Sequence, residues 1–189
     1  MNGEDWLSYR LSDFVMFSER AYQRQIQLYN ESWFGLQALA LILGAVILWQ
    51  VLRPSEKSVR VIPILLAMAW FWVAWSFLWA RYAEINLFAL YAAPAFAVQG
   101  LAFLAVAALP NGLRMALPSG LLKLPVVLLL LLTLLLYPLL APLTGKTLMR
   151  AEAFALLPDP TALATLALLS LCIGPVRWPL MVIPFVWCL

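Results

Sequence analysis

The chain has 189 residues and a formal net charge of +3; 65% of its residues are hydrophobic and only 11% are charged. An ordinary soluble domain has about a quarter charged residues, so this composition argues against a water-soluble globular protein and predicts an integral membrane protein. The small net charge is spread over the loops, which argues against a nucleic-acid partner.

Two residue types that often carry chemistry are scarce. Histidine is absent, and the two cysteines, Cys172 and Cys188, both lie in apolar segments. The commonest ligand of haem, copper and zinc is therefore missing, and no disulfide framework or thiolate site is indicated. No phosphate loop or nucleophile elbow is present either. We expect no catalytic residue, no metal site and no cofactor, and therefore no enzyme.

Residues 1–32 form a polar leader before the first apolar stretch. Its apolar residues recur at spacings of three, four or seven, which predicts an amphipathic helix. We expect this leader to anchor in the membrane interface; the alternative is a partner-binding or gating element. The apolar positions are Leu11, Phe14, Val15, Tyr22, Ile26, Tyr29 and Trp33.

Residues 33–189 contain apolar stretches that resemble membrane spans in length. A bilayer core of about 30 Å needs about 20 helical residues. Five stretches reach or approach that length, at 33–52, 61–79, 87–109, 121–140 and 157–173, and a partial sixth covers 178–189. Because the sixth is too short to cross, we expect the chain to stop inside a longer protein, the alternative being a half-span. The predicted fold is an all-α, polytopic transmembrane helix bundle with an N-terminal amphipathic interfacial helix.

The distribution of Lys and Arg predicts the orientation of the bundle. The loops after the first, third and fifth spans carry more basic residues than the opposite loops, so the positive-inside rule places them in the cytoplasm and the N-terminus outside. The leader adds Arg10, Arg20 and Arg24 to the outer side, which levels the count if it is included in full. The inner set is Arg53, Lys57, Arg60, Arg114, Lys123 and Arg177, and the outer set is Arg81, Lys146 and Arg150.

Polar residues at the outer ends of the predicted spans form the candidate binding site. Arg81, Glu84 and Asn86 join the second and third spans, and the first two are spaced to pair on a helical turn. Arg150 and Glu152 lie between the fourth and fifth spans. Ionisable residues inside a membrane often mark pathways or sites, but at interface depth they are also explained as loop charges that are solvated or paired.

The segment Pro158-Asp159-Pro160-Thr161 introduces the fifth predicted span. Asp159 is expected to N-cap that helix, with Pro160 at its first position. Thr161 and Thr165 would then share one face, so the carboxylate and the two hydroxyls could bind a cation or take up a proton. Capping alone also accounts for Asp159.

Two further features lie within the predicted spans. Gln99 is expected to hydrogen-bond a neighbouring helix and Gly100 to allow its close approach, the alternative being a substrate contact. The aromatic residues of the second span are typical of an interfacial belt and core packing, the alternative being a cation-binding wall. These aromatic residues are Trp70, Phe71, Trp72, Trp75, Phe77 and Trp79, followed by Tyr82.

Three groups of segments occur together in a characteristic order. They are YRLSDF at 9–14 with later Leu28-Tyr29-Asn30, WVAW at 72–75 with Arg81-Tyr82 and Ile85-Asn86, and PDPTA at 158–162 with Ala164-Thr165-Leu166. In order and spacing they resemble an uncharacterised family of bacterial integral-membrane proteins, known only as a domain of unknown function. The resemblance implies a multi-pass protein of the bacterial inner membrane and implies no reaction.

Three function classes stay open. A non-catalytic accessory or structural subunit of a membrane assembly is favoured, because no ionisable residue is placed at mid-bilayer. A small transporter or permeation protein with an outward-facing charged site is the alternative, and charged outer residues around a water-filled cavity would favour it. An intramembrane enzyme is the least favoured. The expected partners are the lipid bilayer and a membrane protein or a second copy of the chain.

Overall fold

The computed structural model describes residues 19–189, and its regular elements are helices. The first part of the predicted leader, residues 1–18, lies outside the described residues. The α-helices are α1 (Glu19–Ser32), α2 (Leu36–Leu52), α3 (Ser58–Trp72), α4 (Phe88–Ala108), α5 (Lys123–Leu131), α6 (Leu140–Leu143), α7 (Pro158–Ser170) and α8 (Arg177–Trp187).

Two of these helices continue into tighter or wider turns. A π-helix at Val73–Trp79 and a 3-10 turn at Tyr82–Glu84 extend α3. A 3-10 turn at Gly120–Leu122 precedes α5, which is extended by a π-helix at Leu132–Leu136 and a 3-10 turn at Tyr137–Leu139. A further 3-10 turn, Leu148–Arg150, follows α6.

The prediction of five full spans and a partial sixth is wrong. Within residues 19–189, three helical stretches are long and apolar enough to cross a membrane: Ser58–Glu84, Phe88–Ala108 and Gly120–Leu143. A fourth is obtained only if α1 and α2, which meet at 91°, are taken as one broken span. The predicted spans at 61–79, 87–109 and 121–140 therefore correspond to long helices, whereas those at 157–173 and 178–189 do not. The predicted span at 33–52 corresponds to α2, which is long enough to cross only together with α1.

The short helices explain why composition alone overcounted the spans. The predicted fifth span contains α7, which has 13 residues and is about 20 Å long, against a hydrocarbon core of about 30 Å. Most of α7 is buried by other helices, so its apolar composition reflects a protein interior. Residues 151–157, which precede it, are irregular and buried except for Glu152. The partial sixth span is α8, with 11 residues.

The chain reversals place charges at two ends of the bundle. At the basic end, the first turn of α3 and the loops after α4 and α7 meet, since Leu113 N–H donates to Val59 O at 2.8 Å and Ile173 N–H donates to Arg114 O at 2.9 Å. The opposite end, here called the carboxylate end, is formed by α1, the end of the α3 extension, residues 137–159 and Trp187. It contains Glu152 and Asp159.

Helix α1 crosses the carboxylate end and is tied to it by side-chain hydrogen bonds. Tyr29 is fully buried, and its hydroxyl lies 2.9 Å from Ser76 Oγ and accepts from Trp72 Nε1 at 2.9 Å. Asn30 Nδ2 donates to the carbonyls of Met149 and Ala151, each at 2.9 Å. The apolar face of α1 is therefore covered by protein; an interfacial position for the leader stays a prediction.

Two glycines allow neighbouring helices to approach closely. A methyl group added at Gly100 would lie 3.0 Å from atoms of the Phe71 ring, in line with the close approach expected there. A methyl group at Gly44 on α2 would lie 2.5 Å from the backbone oxygen of Leu134, in the π-helical extension of α5. Backbone atoms cannot swing away as a side chain can, so Gly44 holds α2 against α5.

Replacing Gly44 by alanine should therefore destabilise the protein by about 1–3 kcal/mol, because an overpacked contact must be relieved by backbone movement. The measurement is the thermal unfolding midpoint of the purified protein in detergent. Gly35→Ala is the matched control, since nothing lies within 4 Å of a methyl group there. Equal midpoints for the two variants would contradict the assigned α2–α5 contact.

Candidate functional site

The two threonines of the predicted site are structural. Thr161 Oγ donates to Leu157 O at 2.6 Å and accepts from Ala155 N–H at 2.9 Å. Thr165 Oγ donates to Thr161 O at 2.7 Å and accepts from Trp70 Nε1 at 2.9 Å. Both side chains are fully buried. Their hydroxyl protons are committed to the backbone, so neither is placed to serve a ligand beside Asp159.

Gln99 forms a hydrogen bond between two helices, α4 and α8. It is 1% exposed on α4, and its Nε2 donates to Leu180 O on α8 at 2.9 Å. This is the interhelical contact that its position in an apolar segment indicated.

The residues after the α3 extension do not converge on the site. Arg81 donates to Ser32 Oγ at 3.0 Å, and Asn86 Oδ1 accepts from Phe88 N–H at 2.9 Å at the start of α4. Glu84 is exposed. Arg81 and Glu84 do not form the expected ion pair. The one ion pair found within residues 19–189 joins Lys146 and Glu19.

Glu152 and Arg150 lie together in a polar cleft at the carboxylate end. The cleft has a volume of about 150 Å³ and is also lined by Tyr137, Thr144 and Lys146. Arg150 Nε donates to Gln27 Oε1 on α1 at 3.2 Å, and Lys146 Nζ lies 3.5 Å from a carboxylate oxygen of Glu19. Arg150 and Lys146 therefore both contact α1, and neither contacts the Glu152 carboxylate in the same cleft.

Asp159 occupies a different position from the one expected. Helix α7 begins at Pro158, so Asp159 lies inside the first turn and Pro160 is not its first residue. The side chain makes no cap; instead Asp159 Oδ1 accepts a hydrogen bond from Trp187 Nε1 at 2.8 Å. The N-cap prediction is wrong because the buried irregular segment ends at Leu157, so the helix begins at Pro158, two residues before the predicted start at Pro160.

Neither of the two carboxylates has a cationic partner in the part of the chain that the structure describes. Within residues 19–189, no Lys or Arg nitrogen comes within 4.0 Å of Glu152 or Asp159. Asp159 Oδ2 and both oxygens of Glu152 accept no hydrogen bond from the described residues, and all three retain access to the surface. Partly buried carboxylates that lack partners favour either protonation or the binding of a cation.

Electrostatics couple the two groups. Burial raises the pKa of Glu152 to about 7, with a further contribution from the negative charge of Asp159 that outweighs the lowering effect of Lys146. Burial also raises the pKa of Asp159, and the hydrogen bond from Trp187 opposes that rise. With a pKa raised to about 7, Glu152 is therefore the candidate of this pair for proton exchange near neutral pH.

Aromatic residues lie around this pair, an arrangement that no local pattern of residues indicates. Tyr22 and Tyr137 lie within electrostatic range of both carboxylates, and Tyr82 lies within range of Asp159. Trp187 comes from the segment expected to be a partial span. Its hydrogen bond with Asp159 joins residues 28 positions apart and depends on the antiparallel packing of α8 along α7. Local sequence patterns do not predict such a contact.

Over residues 19–189, these features define a class: a helical protein with three or four helices long and apolar enough to cross a membrane, and a pair of carboxylates at one end that no described basic residue contacts. Residues 19–189 match a family of unknown function (DUF6064), and the chain belongs to that family. No curated protein matches the chain, and no solved structure matches it. The resemblance to a domain of unknown function is thereby confirmed; a membrane location and a bacterial source stay predictions.

The raised pKa of Glu152 gives a testable dependence of stability on pH. Between about pH 4.5, its ordinary value, and about pH 7, the folded protein holds a proton that the unfolded chain has lost, so stability should fall as pH rises through this window. Glu152→Gln should remove this fall and raise the unfolding midpoint by a few degrees above pH 7.

The control for this titration is Glu84→Gln, which changes an exposed carboxylate next to the same end of the bundle. It should reproduce the wild-type profile of unfolding midpoint against pH. If Glu152→Gln follows the wild type across the whole range, Glu152 does not hold a proton in the folded state.

Proposed function

We propose that the chain is a multi-pass integral membrane protein of the transport or permeation class, with Glu152 and Asp159 as its binding site for a proton or small cation. The observation that carries this proposal is the uncompensated carboxylate pair at the start of a buried short helix. The sequence favours the accessory role because it places no ionisable residue at mid-bilayer. Two partly buried carboxylates, one of them lining a polar cleft, support transport instead.

The membrane location is supported by the outward faces of the long helices. Only 22% of the most apolar window in Gly120–Leu143 is buried inside the protein. Leu121, Leu124 and Leu128 are 96%, 66% and 52% exposed, so a large apolar surface faces outward. In water such a surface would be unfavourable at about 25 cal/mol per Å², whereas lipid chains solvate it.

The break before α7 supports a binding role. Irregular backbone at membrane depth is tolerated only where protein buries it or where it lines a cavity. Interrupted helices whose ends carry polar groups are a common way for transporters to build ion sites. Here residues 151–157 form the irregular stretch; Glu152 lies within it, near its start, and Asp159 lies two residues after its end.

The charges at the two ends support an orientation. The loop residues at the basic end include Arg53, Lys57 and Arg114, whereas the carboxylate end has acidic and basic residues in similar number. The positive-inside rule then places the basic end in the cytoplasm and the carboxylate end, with α1, on the outer side of a bacterial inner membrane.

An accessory subunit remains the second candidate, and the same outward apolar faces favour it. A membrane-protein partner or a second copy of the chain could cover them as well as lipid does. In that role the protein would be non-catalytic and would need no cofactor. Mild-detergent purification followed by mass spectrometry would recover a stoichiometric partner if this candidate is correct.

Transport is tested in liposomes that contain the purified protein and an enclosed pH indicator. With an imposed membrane potential, the wild type should carry protons faster than empty liposomes, and Asp159→Asn and Glu152→Gln should abolish the difference. Glu84→Gln should retain it, since this exposed residue lies outside the site. The same measurement with K⁺ or Na⁺ indicators covers the small cations. A wild type that moves none of these ions contradicts the proposal and leaves the accessory role.

Orientation is tested with single cysteines in a chain that carries Cys172→Ala and Cys188→Ser. A membrane-impermeant maleimide applied to intact bacterial cells should label Glu84→Cys at the carboxylate end and should leave Glu56→Cys at the basic end unlabelled until the cells are opened. Both positions are exposed, so burial does not bias the comparison. The reverse labelling would invert the proposed topology, and equal labelling before lysis would contradict a membrane-spanning arrangement.

A further inference from the structure

A large groove lies between α4 and α8 at the carboxylate end. Its volume is about 760 Å³, which is within the range of small-molecule sites. Its apolar walls include Ala95, Val182 and Val186. Phe88, Tyr91 and Val186 are each more than half exposed, so the groove opens along the outer surface of the helix pair.

Aromatic rings form much of the groove, and one of them contacts a carboxylate. The rings are those of Tyr82, Phe88, Tyr91, Phe96 and Trp187. The Trp187 ring lies between two of the others, 6.3 Å from the centroid of Phe88 and 5.0 Å from that of Phe96. Its N–H donates to Asp159 at 2.8 Å, so a negative charge lies at the edge of this ring.

This combination is complementary to an organic cation. Aromatic faces attract ammonium and similar cations, and indole does so most strongly. A hydrogen bond from the indole N–H to a carboxylate increases electron density on the ring, which strengthens that attraction. The apolar walls and the lateral opening suit a hydrophobic body that arrives from the bilayer, while an anion would be repelled by Asp159.

No basic side chain of residues 19–189 neutralises this charge. The nearest candidates at the carboxylate end have other partners: Arg81 donates to Ser32, Arg150 donates to Gln27, and Lys146 pairs with Glu19. The negative potential at Asp159 is therefore left for a ligand.

We propose that the α4–α8 groove binds amphipathic organic cations, with the cationic centre held by the aromatic rings beside Asp159 and the hydrophobic body along the groove. This inference rests on the proposed function in so far as Asp159 is shared with the carboxylate pair, and it names the substrate class that the site would accept in addition to a proton or small cation.

The test uses two probes of the same shape and opposite charge, tetraphenylphosphonium and tetraphenylborate. Binding of each to the full chain in lipid nanodiscs is measured by equilibrium dialysis, and binding to empty discs is subtracted. The phosphonium should bind saturably and the borate should not. Equal binding of the two probes would show a merely apolar surface and would overturn the proposal.

Variants locate the binding. Ala95→Phe fills the groove and should abolish phosphonium binding. Ala97→Phe is the matched control, because Ala97 lies two residues further along α4 and lines a different aromatic groove with Trp75 and Trp79, where no carboxylate is present. Asp159→Asn keeps the shape of the side chain and should weaken phosphonium binding roughly tenfold. Each variant is first checked for the wild-type unfolding midpoint and a single gel-filtration peak.

The outcomes separate this inference from the proposed function. If Ala95→Phe loses the phosphonium but still carries protons or small cations, the groove and the carboxylate pair are distinct parts of one site. If the wild type carries those ions but binds no phosphonium, the inference fails alone. If phosphonium binds and no ion is carried, the groove is a binding site and the transport proposal fails. Loss of phosphonium binding in Ala97→Phe to the same extent as in Ala95→Phe would also overturn the inference.

Discussion

The irregular segment before α7 has backbone groups that no helix satisfies, and the rest of the structure depends on how they are paired. Asn30 from α1 donates to the carbonyls of Met149 and Ala151, and the Thr161 hydroxyl accepts from Ala155 N–H. An unpaired backbone group in an apolar interior costs several kcal/mol, so these side chains make the break tolerable. Ala155 adopts a left-handed φ of 65°, which few non-glycine residues do.

This pairing also sets the chemistry of the carboxylate end. Glu152 lies between the carbonyl bound by Asn30 and the N–H bound by Thr161, so its backbone is held while its carboxylate has no partner among residues 19–189. The covering helix α1 engages the nearby basic side chains of Lys146 and Arg150. A carboxylate that is partly buried and uncompensated keeps a proton to a higher pH than usual, and this links the fold of the segment to the proposed binding of a proton or cation.

How much of this could be predicted from the sequence depends on the element. The long helices at Ser58–Glu84, Phe88–Ala108 and Gly120–Leu143 are predicted by the length of their apolar stretches. Helix α1 is predicted by the helical spacing of its apolar residues. The role of α7 could not be predicted in the same way, because a helix buried by protein and a helix buried by lipid have similar compositions. Gln99 was interpreted correctly as an interhelical contact, since a lone amide in an apolar helix has few other partners.

The candidate site was predicted in part, and the missed portion depends on long-range packing. Glu152, Arg150 and Asp159 lie at one end of the bundle, as their loop positions indicated. Glu84 is exposed, and the hydroxyls of Thr161 and Thr165 donate to backbone carbonyls instead of lining the site. The contact of Trp187 with Asp159 depends on the packing of α8 along α7, which the local sequence pattern does not encode.

The central claim is that Glu152 holds a proton that it exchanges near neutral pH. Infrared difference spectroscopy of the purified protein measures this directly through the carbonyl stretch of protonated carboxyl groups. We predict a band that disappears as the pH is raised through about 7 in the wild type and is absent from Glu152→Gln. A wild-type spectrum in which every carboxyl group has already lost its proton well below neutral pH would contradict the account.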